Sequence, residues 1–261
     1  MRAIASRTAA LVVAATVFVA AAASGDEINV MTSGAFTAAY LQLVPEFERA
    51  TGNKVMTAFG GSLGNGPETI PNRLQRGEPA DVVILAAAAL DDLIKQGKVV
   101  AGSRVDLVRS SIGMAVRAGA VKPDISSVAA FKRALLQAKS IAYSDSASGV
   151  YLSTVLFPRL GIADEIKGKS RTIEATDRVG AVVARGDAEV GFQQISELLP
   201  VPGITLVGPL PPGAQQVTVF AAGIVVGARQ PAAARALIAF LASPAAAPVI
   251  VKSGLELVTS R

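Results

Sequence analysis

The chain contains no cysteine and no histidine among its 261 residues. Without cysteine there is no disulfide, no thiolate nucleophile and no cysteine metal site, so the core must be stable without covalent cross-links. Without histidine, the usual general base at neutral pH and the commonest zinc ligand are both missing. Serine–histidine hydrolases and most zinc enzymes are therefore excluded, and we expect no metal and no cofactor.

The chain is also poor in aromatic residues and only mildly basic. Aromatic residues make up 5% of it and tryptophan is absent, which leaves little with which to stack bases or sugars. The formal net charge is +5, but Arg2 and Arg7 belong to an N-terminal segment without acidic residues, so the remainder carries 23 − 20 = +3. This balance suits a small acidic solute and falls short of the clustered basic face that nucleic acid requires, so we expect no nucleic-acid partner.

Residues 1–24 have the layout of a cleaved secretory signal peptide. Arg2 and Arg7 precede an apolar run that ends in three alanines at 21–23, and this pattern predicts cleavage near residues 23–25. The run is short for a membrane span, and no later segment reaches the roughly 20 apolar residues that a span needs. We therefore expect an exported, soluble protein; a retained N-terminal anchor is the competing interpretation.

The other 261 − 24 = 237 residues alternate short β-branched runs with segments of helical period. Strands are predicted at 27–31, 54–59, 81–85, 112–116, 140–143, 189–192, 204–207 and 217–226. Between them, Gly97 is expected to end one helix, Ser126 or Ser127 to cap another, and Pro231 to open a third. This order predicts an α/β fold with mainly parallel sheets and helices on both faces.

Three turns made of small residues follow predicted strands, at residues 32–34, 60–62 and 144–149. Each is expected to open a helix, where unpaired backbone N–H groups, the helix dipole and serine hydroxyls favour an anion. Because ligands of parallel sheets bind at the carboxyl ends of the strands, the three turns should converge on one anion site. Three ordinary helix caps are the competing interpretation.

Several short motifs occur in an order and spacing that resemble the type II periplasmic solute-binding proteins, most of all their molybdate-binding branch. These motifs are at residues 47–52, 61–62, 77–83, 142–151, 186–192, 240–244 and 254. The resemblance implies a periplasmic protein of two α/β lobes, with crossing segments near 107–114 and 216–224 and a ligand cleft between the lobes. Lobe 1 would be discontinuous, residues 25–108 plus 219–261, and lobe 2 would be residues 109–218.

The same resemblance implies a set of ligand contacts. Carried over position by position, they are Ser33, Gly34, Ala35, Ser62, Ser146, Ala147, Ser148, Gly149, Gln193 and Gln194. The chain departs from the molybdate pattern at Ala35, where a serine is usual, at 191–194, where a tyrosine is usual, and at 63–67, which lengthen the loop that would touch the ligand. A tight neutral cage suits a tetrahedral oxyanion, so these departures favour a larger, planar or branched anion.

Segments 32–40, 70–74, 143–151 and 192–200 resemble the aconitate isomerases, an enzymatic branch of the same fold. That resemblance implies interconversion of cis- and trans-aconitate, a tricarboxylate, by moving one proton between two carbons. Such a reaction needs a base, an anion cradle and exclusion of water. Without histidine the base must be a carboxylate, a tyrosine or a lysine with a shifted pKa, and the candidates in order are Asp145, Glu68 and Tyr151.

Alternatives stay open for several of these residues and for the function. Arg73 is a candidate guanidinium partner for a substrate carboxylate, Asp145 also suits a helix cap, and Gln193 and Gln194 also suit a structural role. We expect a monomer that binds a small anion. The alternative function is a non-catalytic binding protein that delivers an organic acid or a molybdate-like oxyanion to the membrane permease of an ABC transporter.

Overall fold

The computed structural model describes residues 25–174 and 177–258, so the predicted signal peptide, residues 1–24, lies outside the described residues. The strands are β1 (Glu27–Thr32), β2 (Lys54–Phe59), β3 (Val82–Ala86), β4 (Val105–Ser110), β5 (Ile112–Arg117), β6 (Ile141–Ser144), β7 (Ser170–Ile173), β8 (Val190–Gln194), β9 (Ile204–Pro209), β10 (Thr218–Ile224) and β11 (Glu256–Leu257). The helices are α1 (Gly34–Thr51), α2 (Ile70–Gln75), α3 (Ala87–Lys95), α4 (Val128–Gln137), α5 (Ala147–Tyr151), α6 (Phe157–Arg159), α7 (Ala163–Lys167), α8 (Val179–Arg185), α9 (Ile195–Leu198), α10 (Pro231–Leu241) and α11 (Ala247–Lys252). A π-helical turn, Leu152–Leu156, joins α5 to α6, and a 3₁₀ turn, Pro244–Ala246, precedes α11.

The strands form two sheets, and each defines one lobe of an α/β protein. The first sheet has the order β11-β4-β10-β3-β1-β2 and the second the order β7-β6-β8-β5-β9. Within the first sheet β1 runs parallel to β2 and β3, and within the second β6 runs parallel to β7 and β8. The strands that enter from the other lobe, β5 and β10, pair antiparallel to their neighbours, so the sheets are more mixed than the sequence pattern indicates.

The chain passes between the two sheets twice. β4 ends at Ser110 in the first sheet and β5 begins at Ile112 in the second, while the return runs from Pro209 to Thr218. The Gln215 side chain joins the two passages, because its amide donates to the Ile112 carbonyl and accepts from the Ile112 N–H, both at 2.9 Å. The lobe boundaries at 108/109 and 218/219 stay a prediction.

Helices cover both faces of each sheet. The apolar face of α1 is buried against the first sheet, and the helix ends at Gly52 with a positive φ of 77°. The predicted helix signals are confirmed at Ser127, whose hydroxyl accepts from the Ala130 N–H, and at Pro231, the first residue of α10. In the part of the chain that the structure describes, no single helix is long and apolar enough to cross a membrane. The pair formed by α10 and Pro244–Lys252, bent by 53°, has the length and composition of a span when the two are taken together.

The turn at 60–62 does not open a helix, so that prediction was wrong. The chain continues through an irregular loop, and α2 begins only at Ile70, whose N–H donates to the Gly61 carbonyl at 2.9 Å. The loop closes on itself instead through the Thr69 N–H, which donates to the Gly66 carbonyl. Residues 32–34 and 144–149 do open helices, α1 and α5.

Candidate functional site

A cavity of about 310 Å³ lies between the two sheets. The three small-residue turns meet there: residues 33–34 after β1, 60–62 after β2 and 144–148 after β6. The end of β8 and the start of α9 add residues 193–197, except Ile195, to the wall. A volume of this size falls at the small end of the range of roughly 300–1,000 Å³ found for small-molecule sites, so the cavity suits a compact solute.

Ser33 presents a free hydroxyl at the start of the longest helix. It is the N-cap residue of α1, but its side chain makes no capping bond, and its buried Oγ has no hydrogen-bond partner among the described residues. Its backbone N–H donates to the Ile84 carbonyl at 2.9 Å, which holds the turn against β3. The hydroxyl and the positive end of α1 therefore both face the cavity, where an anion is favoured.

Gln193 and Gln194 carry polar atoms that the protein leaves unpaired. Both amide atoms of Gln194, only 2% exposed, and Oε1 of Gln193 have no partner among the described residues. Buried polar groups are nearly always hydrogen-bonded, so an unpaired buried amide in a cavity wall calls for a partner from outside the protein. A bound solute with several oxygens would supply it.

Ser62 ties the two lobes together as well as lining the cavity. Its hydroxyl oxygen accepts from the Ala86 N–H at 2.9 Å, and its N–H donates to Ser146 Oγ in the other lobe at 3.1 Å. Because the Ser62 N–H is used in this way, its hydroxyl proton is the group left for a ligand. Ser148 also lines the wall and exchanges a 3.1 Å hydrogen bond with Ser144.

Glu197 is one of three acidic residues of the wall, with Glu174 and Asp177, that the sequence-based candidates left out. Burial raises the pKa of its carboxyl group to about 7, opposed by a hydrogen bond from Gln193, the positive charge of Arg178 and a backbone hydrogen bond at Gln194. The Gln193 amide donates to Glu197 Oε1 at 2.8 Å. The signal in the sequence was an acidic residue in the first turn of a helix that directly follows a predicted strand.

Arg178, next to the start of α8, is the only cationic side chain among the described residues that line the cavity. It is exposed at the mouth, so it can meet a carboxylate of an entering solute. Arg73, the candidate from the sequence, does not line the cavity. Its guanidinium is paired with Glu68 and, at 2.7 Å, with Glu78, because all three lie around the short helix α2.

Tyr151 and Gly149 are also placed outside the cavity wall. The Tyr151 side chain is buried in the second lobe, where its hydroxyl donates to the Ala214 carbonyl at 3.1 Å and accepts from Arg159. A methyl group at Gly149 would overlap the Ser144 carbonyl oxygen, so this glycine lets α5 pack closely on β6. We therefore assign both residues to packing rather than to the ligand.

Asp145 and Glu68 do line the cavity, but each lies at its edge and contacts other residues of the protein. Glu68 is paired with Arg73 and its side chain is 45% exposed. The Asp145 carbonyl and carboxylate lie against Gly64 and Gly66 of the long loop. Gly64 and Gly66 thus approach Asp145 across the cleft, and residues 63–67 do not line the cavity. That this loop touches the ligand stays a prediction.

The remaining candidates, Ala35, Ser146 and Ala147, line the wall. The Ala35 carbonyl accepts from Ser196 Oγ at 2.7 Å, which makes a second bond between the lobes. The described residues contain no group of three or more acidic side chains placed to hold a metal ion. The site is thus a cavity of hydroxyls, amides and helix starts, with one cation at its mouth, four acidic side chains that are exposed or at its edge, and the partly buried carboxyl group of Glu197.

Two α/β lobes with an anion-directed cavity between them define a solute-binding protein. A profile of the family described as bacterial extracellular solute-binding protein matches residues 28–256, and the chain belongs to this family. It is 51% identical over 229 residues to an aconitate isomerase of Pseudomonas sp, covering 88% of this chain and 87% of the relative.

The chain is also similar to molybdate-binding proteins. The chain is 28% identical over 181 residues to the molybdate-binding protein ModA of Azotobacter vinelandii, covering 69% of each. A solved structure of the periplasmic molybdate-binding protein of the same organism superposes with a TM-score of 0.71 at 23% identity, over 89% of this chain and all of that one. The two-lobed fold predicted from the sequence motifs is confirmed.

Proposed function

We propose that this protein is an aconitate isomerase that interconverts cis- and trans-aconitate in the periplasm. The observation that carries the proposal is the 51% identity to a protein of that name over 88% of the chain. Segments 32–40, 143–151 and 192–200, which resemble the aconitate isomerases in sequence, each contribute residues to the cavity wall. The sequence motifs that resemble the aconitate isomerases thus lie in part where a substrate would bind.

The polar groups of the cavity suit a solute with several carboxylates. In the proposal the guanidinium of Arg178 pairs with one carboxylate at the mouth. The start of α1 and the hydroxyl of Ser33 hold a second, and the unpaired amide of Gln194 bonds to oxygens deeper in the cavity.

The contact between the lobes also serves the chemistry. Two hydrogen bonds join the lobes across it, from the Ser62 N–H to Ser146 Oγ and from Ser196 Oγ to the Ala35 carbonyl. Such closure excludes water from a carbanion-like intermediate and strengthens the interactions of charged groups inside. In this proposal the protein acts as a monomer on a small tricarboxylate, and its export depends on residues 1–24.

The test is proton NMR of the purified mature protein with cis-aconitate in metal-free buffer. We expect growth of trans-aconitate signals, with many turnovers per protein molecule, above the rate of an enzyme-free control. Absence of conversion at high protein concentration would contradict the isomerase.

The alternative is a non-catalytic binding protein that serves an ABC transporter permease, and the similarity to a molybdate-binding protein supports it. Calorimetry with molybdate and with trans-aconitate separates the two functions. Tight binding of molybdate without turnover of aconitate would favour the transport function. Binding of aconitate with turnover would favour the isomerase.

A further inference from the structure

Glu197 lies where the walls contributed by the two lobes meet. It belongs to α9 in the second lobe, yet its carboxyl group lies against the first residue of α1 in the first lobe. A methyl group at Gly34 would overlap Glu197 Oε1. The surroundings of this carboxyl group are therefore complete only when the two lobes are together.

The other acidic residues of the wall form ion pairs, contact a loop or are exposed to solvent. Glu68 is paired with Arg73, and Asp177 is paired with Arg185 at 2.8 Å. Glu174, like Asp177, is exposed, while Asp145 lies against the loop at 63–67.

Glu197 differs from these four acidic residues. It is partly buried, as Glu68 and Asp145 are, but its carboxyl group lies against Gly34 of the other lobe. No cation among the described residues lies within ion-pair distance of it, and the side chain that holds it is the neutral amide of Gln193 at 2.8 Å. A carboxylate held in this way keeps its basicity.

We propose that the Glu197 carboxyl group moves the proton at this site and that Gln193 positions it, a proposal that rests on the proposed isomerisation of aconitate. The carboxylate takes a proton from the methylene carbon of aconitate, and the electron pair of that C–H bond enters a delocalised allyl–carboxylate anion. The protonated carboxyl group then gives a proton to the former vinyl carbon. The double bond forms between the other pair of carbons and Glu197 is ionised again, so no oxidant, reductant or co-reactant is consumed.

The neighbouring groups suit this step. The unpaired hydroxyl of Ser33, the unpaired amide of Gln194 and the start of α1 are donors for the negative charge that spreads onto the substrate carboxylates. Burial raises the pKa of Glu197 to about 7, which is close to the value at which a general base works best in neutral solution.

Several groups face Glu197 or share its cavity and bear on its ionisation. They are Gln193 and Gln194 on β8, Gly34 on α1, Arg178 next to α8, and the acidic residues Glu68, Asp145, Glu174 and Asp177 elsewhere on the wall.

The experiment compares the full mature protein with its Glu197→Gln and Glu197→Asp variants in D₂O. Proton NMR measures conversion of cis-aconitate and exchange of the substrate's methylene protons for deuterium, and calorimetry measures binding of trans-aconitate. We expect Glu197→Gln to bind within about threefold of the unaltered protein but to lose at least about 100-fold in kcat, as general acid–base catalysis predicts. Glu197→Asp should keep more activity than Glu197→Gln. The control Glu165→Gln, an exposed change on α7, should convert and bind aconitate like the unaltered protein.

Each outcome separates this proposal from the proposed function. Conversion by Glu197→Gln within threefold of the unaltered protein would overturn the role of Glu197 and leave the isomerase standing. Exchange without conversion, lost in Glu197→Gln, would support proton transfer by Glu197 and contradict the isomerase. Neither exchange nor conversion by the unaltered protein would contradict both.

Discussion

At the scale of single residues, the acid–base behaviour of the cavity depends on the surroundings of Glu197. Burial raises its pKa to about 7, from 4.5 for an ordinary glutamate, and the Gln193 amide and Arg178 limit the rise. The folded protein therefore holds this proton more tightly than the unfolded chain does. The stability that protonation contributes is fully present below pH 4.5 and is lost as the pH rises through about 7.

At pH 8 we expect Glu197→Gln to unfold at a higher urea concentration than the unaltered protein. Its free energy of unfolding should be greater by on the order of 2 kcal/mol. Glutamine keeps the oxygen that accepts from Gln193 but carries no charge to bury. At pH 5 the glutamate is largely protonated, so the difference should nearly vanish. Urea denaturation at both pH values, with Glu165→Gln as the exposed control, measures this, and an equal difference at both would contradict the pKa assignment.

Arg178 is the second residue whose role depends on its charge. Replacing it with glutamine removes a charge-assisted contact with a substrate carboxylate, so we expect the Kd of trans-aconitate to rise about tenfold. The loss of positive charge should also move the pH dependence of kcat upward, because Arg178 lowers the pKa of Glu197. Calorimetry and a pH–rate profile measure the two effects. Arg235→Gln, exposed on α10, is the control, and equal Kd values for the two variants would contradict the assignment.

At the scale of elements, the start of α1 is where a helix of one lobe meets the acidic side chain of the other. The chain can place Glu197 there because residue 34 has no side chain. Its neighbour Ser33 keeps the turn in place through the Ile84 carbonyl. The position of the Glu197 carboxyl group thus depends on an element far away in the sequence.

We expect Gly34→Ala to lower kcat at least tenfold while the protein stays folded. Alanine is compatible with the start of a helix, but its methyl group displaces the Glu197 carboxyl group. Circular dichroism and the NMR assay measure folding and activity. Gly168→Ala is the matched control, because nothing lies within 4 Å of the methyl group it adds. Full activity in Gly34→Ala would show that the location of Glu197 does not matter.

At the scale of the whole molecule, both lobes contribute to one cavity, so a bound solute links the two sheets. The hydrogen bonds from Ser62 to Ser146 and from Ser196 to Ala35 already join the lobes, and a ligand in contact with both walls adds to them. A solute that binds only the folded protein stabilises it by mass action.

We expect trans-aconitate at 100 times its Kd to stabilise the folded protein by about 2.7 kcal/mol. For a chain of this size that corresponds to a rise in Tm of roughly 5–10 °C. Differential scanning calorimetry measures the shift, with molybdate as the comparison solute. A shift with molybdate and none with trans-aconitate would favour the binding protein over the isomerase.

Much of the fold was predictable because it rests on local pattern. The β-branched runs that predict β1, β2, β3, β5, β6, β8, β9 and β10 are strands in the structure, since alternation and β-propensity act over a few residues. β4 and β7 lacked such a signal, and the loop after Gly61 was expected to be a helix. Turn composition does not specify how far a chain runs before its next helix, because that distance depends on what the loop packs against.

The sequence by itself determined the α/β class, the order of the strands along the chain and the three turns that line the cavity, because these depend on neighbouring residues. Only the tertiary structure decided which charged groups line the cavity. Arg73 turns to Glu68 and Glu78 and leaves the mouth to Arg178, while Glu197 reaches α1 of the other lobe. The Arg73 pairs join near neighbours in the chain, but Glu197 lies against Gly34, more than 100 positions away, and no local pattern records that contact.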